Sequence, residues 1–351
     1  MYNKTPLHYD VILETMPHMA APLAVAQGMK QQALYDIIFQ TFYNTLDRLE
    51  MFSLAHFERS GRQTFMVGTW LQKLFENTSL EDVSWDPLRH LPYQGFYICL
   101  SAFDGKIWSS TVKDYIPLHG IYAFQMWSVE ELFLVFWGKH DGPHDLRRGD
   151  AIGGLCLDLE IAEKAGLKEY LKKSLETRAP RFGIGALLWS DNARDEQTED
   201  TLFRAVHITV NLLQYLSLKD AETRRVVRVD RRRKRLEGFI KSANPTKKNR
   251  VKKKIAQAPR KINIVYVGET IEQEMPDQGE VVGKGRKPAK KHWVRGHYRV
   301  IPKGPRRNPY YERVWVKPFQ RGYSERGSVA RRIYKVREDK DEQTGAPGAV
   351  S

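Results

Sequence analysis

The charge of the chain changes sign at about residue 221, and this change constrains the fold more than any other feature. Residues 1–220 carry 21 Lys or Arg and 28 Asp or Glu, whereas residues 221–351 carry 36 and 14, giving net charges of −7 and +22. An apolar fraction of 41 % is enough to build a core. We therefore expect an acidic body followed by a basic region whose partner is a polyanion such as nucleic acid. The alternative is a solvated basic tail with only nonspecific affinity.

Apolar periodicity predicts an α+β fold in which helices pack on an antiparallel sheet, followed by a basic helical linker and a small C-terminal β-module. Spacings of three and four residues predict helices over 27–51, 63–77, 161–177 and 201–218. Short apolar runs predict strands. The predicted strands of the body are 95–100, 106–111, 121–127, 132–137 and 155–159. The turn Asp104-Gly105 favours a hairpin between the first two of them.

Four regions are expected along the chain. Residues 1–220 form the globular α+β domain, a candidate for peptide recognition. Residues 221–261 form a basic helix and linker, because Arg and Lys dominate there and Pro245 and Pro259 interrupt any long helix. Residues 262–323 form the small basic β-module from three short strand candidates, which are 262–267, 292–299 and 312–319. Residues 324–351 form a polar, flexible tail.

The tract His292-Trp293-Val294-Arg295-Gly296-His297-Tyr298-Arg299 interleaves rings with fixed positive charge, which suits bases and phosphates. As one strand, it would place Trp293, Arg295, His297 and Arg299 on one face. The runs 231–235 and 247–254 hold no aromatic residue and are expected to contact backbone phosphates without base specificity. The predicted nucleic-acid-binding residues are Arg231, Arg232, Arg233, Lys234, Arg235, Lys252, Lys253, Lys254, Trp293, Arg295, His297, Tyr298, Arg299, Arg306, Arg307, Arg313, Trp315 and Lys317. Alternatively, some of the arginines around the tract pair with acidic groups of the body.

Catalytic signatures are missing from the sequence, so an enzyme is not the favoured expectation. Neither a phosphate-binding loop nor a dinucleotide-binding glycine motif occurs, and no cofactor is expected. His140 and His144 flank a turn without a complete ligand set, so a solvated loop is favoured over a metal site. His292 and His297 lie five residues apart on a strand and face opposite sides, which argues against a shared metal. His297 remains a weak candidate for the general base of a ribonuclease.

Cellular location is indicated by the cysteines and by the hydropathy of the chain. Cys99 and Cys156 each lie in an apolar run, as buried thiols of a reducing compartment do. The N-terminus lacks the pattern of a secretory signal, and no apolar stretch approaches the roughly 20 residues that span a bilayer. We expect a cytoplasmic protein of a bacterial host cell, with no membrane partner.

Several segments together resemble the type V-A anti-CRISPR family that blocks biogenesis of the CRISPR nuclease. They are the aromatic strand Pro92-Tyr93-Gln94-Gly95-Phe96-Tyr97-Ile98 with its following hairpin, the apolar helix over 205–216, the element Val294-Arg295-Gly296-His297-Tyr298, and Arg313-Val314-Trp315-Val316-Lys317-Pro318. The Arg-Gly-His-aromatic element and the basic-aromatic strand that ends in Pro318 are the most specific of these. The basic insert 224–254 is heavier than the family pattern.

The resemblance implies a mobile-element regulator, carried by a phage or plasmid, that acts on nuclease synthesis. Its partners would be the N-terminal peptide of the nuclease as it leaves the ribosome, and ribosome-associated mRNA, which would then be lost. The family's peptide-contacting residues cannot be carried over to positions of this chain. Two other functions stay open: a general nucleic-acid-binding accessory protein of a phage or plasmid, and a ribonuclease that uses His297.

Overall fold

A computed structural model describes most of the chain, and all structural statements below concern the described residues. These are residues 30–41, 45–80, 83–100, 103–109, 114–126, 128–139, 149–177, 196–229, 231–242, 244, 247–252, 261–269, 292–294, 296–305, 309–317 and 319–321. The chain divides into two compact units. The first comprises residues 1–275 and 295–318, and the second comprises residues 276–294 and 319–351.

Helices and strands alternate irregularly in the first unit, as expected of an α+β fold. Its helices are α1 (Gln31–Thr41), α2 (Thr45–Arg59), α3 (Thr69–Glu76), α4 (Asp86–Arg89), α5 (Leu159–Ala165), α6 (Leu167–Thr177), α7 (Glu196–Leu216) and α8 (Arg231–Ser242), and residues 247–252 are also helical. Its strands are β1 (Gln63–Val67), β2 (Gly95–Cys99), β3 (Lys106–Ser109), β4 (Asp114–Phe124), β5 (Glu131–Lys139), β6 (Gly149–Asp158), β7 (Thr223–Arg228), β8 (Ile262–Val267), β10 (His297–Lys303) and β11 (Tyr310–Val316). In the second unit, β9 (His292–Val294) pairs antiparallel with β12 (Phe319–Arg321).

An eight-stranded mixed sheet forms the centre of the first unit, with strand order β6-β5-β4-β2-β1-β8-β7 and β3 paired to β4. Strand β1 runs parallel to both β2 and β8, and the other pairings are antiparallel. The long strand β4 therefore pairs with β2 through its second half and with β3 through its first half. The predicted hairpin between β2 and β3 is wrong, because both strands use β4 as their partner.

Helices cover both faces of this sheet, which gives two apolar cores. On one face, α1 and α2 pack on Tyr97, Tyr122 and Trp137, and the adjacent Ile262 and Ile264 of β8 complete that core. On the other face, α3 and α5–α7 pack on the opposite sides of the same strands. Successive side chains of a strand point to opposite faces of the sheet, so aromatic residues along these strands contribute to both cores. The predicted α+β fold of helices packed on a sheet is confirmed.

The helix predicted over 63–77 is wrong in its first half, since residues 63–67 form strand β1. Phe65, Trp70, Leu71 and Leu74 have helical spacing, but Gly61 and Arg62 both have positive φ and reverse the chain after α2. Residues 63–67 can then lie between β2 and β8. Of the helix predicted over 27–51, residues 31–41 lie in α1 and residues 45–51 in α2, and residues 27–29 and 42–44 lie outside the described residues. The helix predicted over 161–177 is divided at Gly166, where φ is 79°.

The apolar helix predicted over 201–218 is confirmed as α7, which spans Glu196–Leu216 and lies in the core. Glu196 and Glu199 in its first turn complement the positive end of the helix dipole. The region 221–261, predicted as a basic helix and linker, begins with a strand, since residues 223–228 form β7 at the edge of the described sheet. Strand β8, expected in a separate C-terminal module, is an interior strand of the main sheet.

Candidate nucleic-acid interface

The hairpin β10–β11 is attached to the body through Gly296 and the segment that follows α3. The Gly296 N–H donates to the Asn77 carbonyl at 3.0 Å, and the Gly296 carbonyl accepts from the Ser79 N–H at 2.6 Å. Between these two bonds lies Thr78, which is 1 % exposed. The glycine of the Arg-Gly-His-aromatic element thus lies in a short parallel bridge to the body.

Tyr298 and Trp315 are opposite each other in the hairpin and complete this attachment. Tyr298 is 3 % exposed, and its hydroxyl donates to the Asn211 carbonyl of α7 at 3.0 Å. Burial raises the pKa of the Tyr298 hydroxyl far above its ordinary value. The Trp315 ring lies 5.5 Å from both Phe75 and Tyr215, and its Nε1 donates to Thr78 Oγ1 at 3.3 Å.

The buried Tyr298 ring leaves no face open for a base, and the half-buried Trp315 ring packs on Phe75 and Tyr215. The sequence pattern of rings and charges resembles a binding strand, but the rings are the apolar anchors of the hairpin. The prediction of one continuous strand over 292–299 is wrong, because β9 pairs with β12 and β10 pairs with β11 in a different sheet.

The remaining predicted residues of the hairpin lie at its surface. Arg299 and Lys317 are exposed, and His297 is half-buried. Arg313 is half-buried with its guanidinium 5.2 Å from the centre of the Tyr298 ring, and burial lowers the pKa of Arg313. Sequence reasoning missed Tyr310 and Tyr311, which are 54 % and 70 % exposed. The sequence does indicate their exposure, because both tyrosines directly follow residues 302–309, which are rich in Gly, Pro and Arg and favour a turn.

Strand β7 presents a second basic surface at one edge of the main sheet. Arg224 forms two hydrogen bonds with the Glu269 carboxylate, at 2.6 and 2.7 Å, and its guanidinium lies 4.6 Å from the centre of the Tyr266 ring. The ion pair lowers the pKa of Glu269. Arg225 is exposed, and Arg228 is half-buried. One arginine of this strand is thus fixed by an acidic partner, Glu269, which lies in the basic region itself.

Helix α8 continues the basic surface. Its first turn consists of Arg231, Arg232, Arg233 and Lys234 and contains no acidic residue. The N-terminal end of a helix carries partial positive charge, and without an acidic residue in the first turn this end favours a bound anion. Lys234 and Arg235 are exposed, and so is Lys252 in the following helical segment. These positions agree with a phosphate-binding role, which stays a prediction.

The hairpin and the edge strand adjoin the same loop, residues 217–222, at the end of α7. The Tyr215 hydroxyl accepts from the Glu222 N–H at 2.9 Å, and the Tyr215 ring contacts Trp315. Lys219 Nζ lies 6.0 Å from the centre of the Tyr310 ring. The structure therefore places β11 beside the end of α7 and the loop that precedes β7, although 91 positions separate Lys219 from Tyr310 in the sequence.

Several predicted residues lie outside the described residues. These are Lys253, Lys254, Arg295, Arg306 and Arg307, together with His140 and His144. For Arg231, Arg232, Arg233 and Trp293 the structure describes the backbone only. Within the described ranges, no group of three or more His, Cys, Asp or Glu residues could hold a metal ion. His297 as a general base stays a prediction.

The two cysteines are half-buried on the face of the sheet that α1 and α2 cover. Burial raises the pKa of the Cys156 thiol to about 12, so it stays protonated and unreactive near neutral pH. Both thiols have a packing role, although neither is buried as fully as the sequence predicts. Among the helices that the structure describes, none is long and apolar enough to cross a membrane.

Comparison with known proteins identifies a family and a similar solved structure. The crystal structure of AcrVA2 matches with 12 % sequence identity and a TM-score of 0.44, over 88 % of this chain and 96 % of that chain. No curated protein matches. The AcrVA2-like family, described as the anti-CRISPR type V subtype A2 family, matches residues 69–319 and so includes most of the main sheet, helices α3–α8 and the hairpin. The chain therefore belongs to the AcrVA2-like family of type V-A anti-CRISPR proteins.

Proposed function

We propose that this anti-CRISPR protein lowers production of a type V-A CRISPR nuclease by binding the nascent N-terminal peptide of the nuclease and its translating mRNA. The family match over residues 69–319 carries this proposal, because it includes both the α+β body and the basic surfaces. In the proposed division of roles, the main sheet with its edge strand β7 recognises the peptide, while the exposed basic residues of α8, of the helical segment after it and of the hairpin bind RNA. The protein itself performs no chemistry in this scheme, and the message is degraded by a host enzyme.

The edge of the main sheet at β7 supports a peptide-binding role. In the described part of the chain, β7 is the last strand on this side of the sheet, and its Val227 is 58 % exposed. An extended peptide can add to such an edge through main-chain hydrogen bonds, with its side chains alternating between the two faces. Arg225 and Arg228 on this strand would favour an acidic peptide through charge complementarity.

The RNA-binding role is supported by a set of exposed cations on α8, the helical segment after it and the hairpin. Lys234, Arg235, Lys252, Arg299 and Lys317 are all exposed. Phosphate contacts of this kind give affinity without sequence preference and weaken as salt rises. Selection of one message would then come from the nascent peptide, which is present only on ribosomes that translate the nuclease. Peptide and RNA binding would act together on the same translating complex.

Co-expression with a type V-A nuclease tests this function. We expect the nuclease protein and its mRNA to fall together, while an unrelated message from the same promoter stays constant. A nuclease gene whose first codons encode a different peptide serves as the matched control, because its message should survive. If the original nuclease and its mRNA accumulate normally beside this protein, the proposed function is wrong.

A general nucleic-acid-binding accessory protein is the second candidate, favoured by the same exposed cations on α8 and the hairpin. It predicts salt-sensitive binding to RNA and DNA alike, without any dependence of nuclease expression on the nascent peptide. The recoded nuclease gene separates the two candidates. Equal loss of both messages would favour the accessory protein, and selective loss of the original message would favour the anti-CRISPR mechanism.

A further inference from the structure

The hairpin β10–β11 has an inner half near Tyr298 and Trp315, which packs on the body, and an outer half near residues 304–309, which connect the two strands. The outer half carries an apolar patch on the same face as Tyr298 and Trp315. Opposite residues of an antiparallel pair share one face, so Tyr298, Val300 and Pro302 align with Trp315, Arg313 and Tyr311. Tyr298 and Trp315 pack on α3 and α7, but Val300 and Tyr311 are 62 % and 70 % exposed, and Pro302 is exposed. On this face, the pair Tyr298–Trp315 packs on the body, whereas the pair Pro302–Tyr311, four residues along the strand, is exposed to solvent.

The other face of the outer half carries Tyr310, which is 54 % exposed and lies opposite Lys303. Lys219 Nζ lies 6.0 Å from the centre of the Tyr310 ring. Two adjacent tyrosines therefore present their rings on opposite faces of the same strand. An aromatic ring that is more than half exposed has no role in packing the core, so it is available to a partner.

The described residues of the hairpin carry more positive than negative charge. They contain Arg299, Lys303, Arg313 and Lys317, against one acidic residue, Glu312. The Glu312 carboxylate is paired with Lys303 Nζ at 2.7 Å. On the inner side of the patch, the Arg313 guanidinium lies over the Tyr298 ring. Arg313 is on the same face of β11 as Tyr311, two positions along the strand. A surface that combines exposed rings with this charge suits nucleic acid better than an apolar protein segment.

We propose that Tyr310 and Tyr311 are the base-stacking residues of a single-stranded RNA site at the outer end of this hairpin. This inference rests on the RNA-binding part of the proposed function and assigns the stacking role to residues other than Tyr298 and Trp315. Unpaired bases stack on exposed rings, whereas a duplex keeps its bases inside, so the site selects single strands. Lys219, Lys303 and Arg299 would contact phosphates beside the stacked bases.

Equilibrium binding of the full chain to a fluorescein-labelled oligouridylate tests the proposal. We expect each of Tyr310→Ala and Tyr311→Ala to weaken binding by about fivefold or more, since stacking on one ring contributes on the order of that factor. The ring-retaining variants Tyr310→Phe and Tyr311→Phe should bind as the wild type does. The salt dependence should stay unchanged in all four, because no charge is removed, whereas Arg299→Gln should reduce it.

Two results would overturn this inference. Tyr310→Ala and Tyr311→Ala proteins that bind the oligouridylate as tightly as the wild type would exclude stacking, and loss of message lowering by these variants in cells would then point to a protein-binding surface. Equal affinity for the oligouridylate and for a matched RNA duplex would exclude selection of single strands. The proposed function is tested separately, by the effect of the wild-type protein on the original and the recoded nuclease messages.

Discussion

Tyr298 shows why single residues of the basic region are hard to assign from sequence. Its neighbours Arg295 and Arg299 indicate a binding strand, yet its hydroxyl donates to the Asn211 carbonyl and its ring lies in the core. Nothing in the local sequence distinguishes a tyrosine that stacks on a base from one that anchors a hairpin. The difference depends on α7, which precedes Tyr298 by more than 80 residues.

Substitution of Tyr298 measures this anchoring role. Tyr298→Phe removes one hydrogen bond and should lower the free energy of unfolding by about 1 kcal/mol. Tyr298→Ala removes the buried ring as well and should cost about 3–5 kcal/mol. Urea denaturation followed by far-ultraviolet circular dichroism measures both values. An exposed position gives the control, since Tyr311→Ala should change stability by less than about 0.5 kcal/mol; a Tyr298→Ala protein as stable as that control would contradict the anchoring role.

His56 makes the fold sensitive to acid. Its Nε2 lies 2.8 Å from the Tyr35 hydroxyl, its ring stacks on Phe124, and burial together with the nearby Arg59 lowers its pKa from 6.5 to about 3. The unfolded chain therefore binds one more proton than the folded chain at pH values between these two pKa values. The free energy of unfolding should fall as pH drops from 6.5 toward 3, by up to about 1.4 kcal/mol per pH unit.

The variant His56→Gln removes this titration while it keeps a hydrogen-bonding group. Urea denaturation at pH 7 and pH 5 should show that the wild type loses about 2 kcal/mol more than the variant over this interval. The comparison of slopes is independent of any constant loss of stability that the substitution causes. Identical pH dependence in the two proteins would show that His56 is not kept neutral by the fold.

At the scale of elements, the contact of α2 with β2 depends on Gly95. A Cβ atom at this position would lie 2.7 Å from the Cβ of His56 and 2.8 Å from its backbone carbon. Helix α2 thus crosses β2 closely enough that only glycine fits. The sequence places a glycine at the start of a predicted strand, but the reason for it becomes visible only when α2 is packed on the sheet.

Two glycine substitutions test this contact, and we expect them to change the free energy of unfolding in opposite directions. Gly95→Ala should destabilise the protein by about 1–3 kcal/mol or more, because the backbone of α2 must move. Gly238→Ala in α8 should stabilise that helix by up to about 1 kcal/mol, since no atom lies within 4 Å of the added methyl group. Thermal unfolding of both variants measures these effects. A tolerated Gly95→Ala substitution would mean that α2 does not lie so close to β2.

Helix α8 and its neighbours should determine the salt dependence of RNA binding. Replacement of the exposed Lys234 and Arg235 by glutamine removes two charges and should lower the slope of log affinity against log salt by about 0.7 for each phosphate that the variant no longer neutralises. The same change at the exposed Lys168 of α6, on the acidic body, is the matched control. Anisotropy titrations of an oligouridylate at several salt concentrations give the slopes, and equal slopes for the three proteins would exclude α8 from the interface.

At the scale of the whole molecule, composition predicts a body and a basic region, whereas the structure joins them in one sheet. The charge change near residue 221 falls between α7 and β7, yet β7 and β8 extend the sheet beyond β1. Helix α7 and strands such as β2 and β5 form from consecutive residues and are predicted from local pattern. The parallel pairing of β1 with β8 joins residues about 200 positions apart, and no local pattern specifies it.

Removal of the basic region tests whether residues 1–220 form an independent domain, as the composition predicts, or need β7 and β8 to complete the main sheet. A fragment of residues 1–220 lacks β7, β8 and the hairpin, so the apolar side chains of Phe65, Val67 and Phe75 become partly exposed and β1 becomes an open parallel edge strand. We expect this fragment to aggregate or to unfold without a cooperative transition. A fragment of residues 1–321 keeps every strand that the structure describes and should unfold as cooperatively as the full chain. If residues 1–220 instead give a monomer with a cooperative urea transition, the body is an independent domain, and β7 and β8 are additions to a sheet that is stable without them.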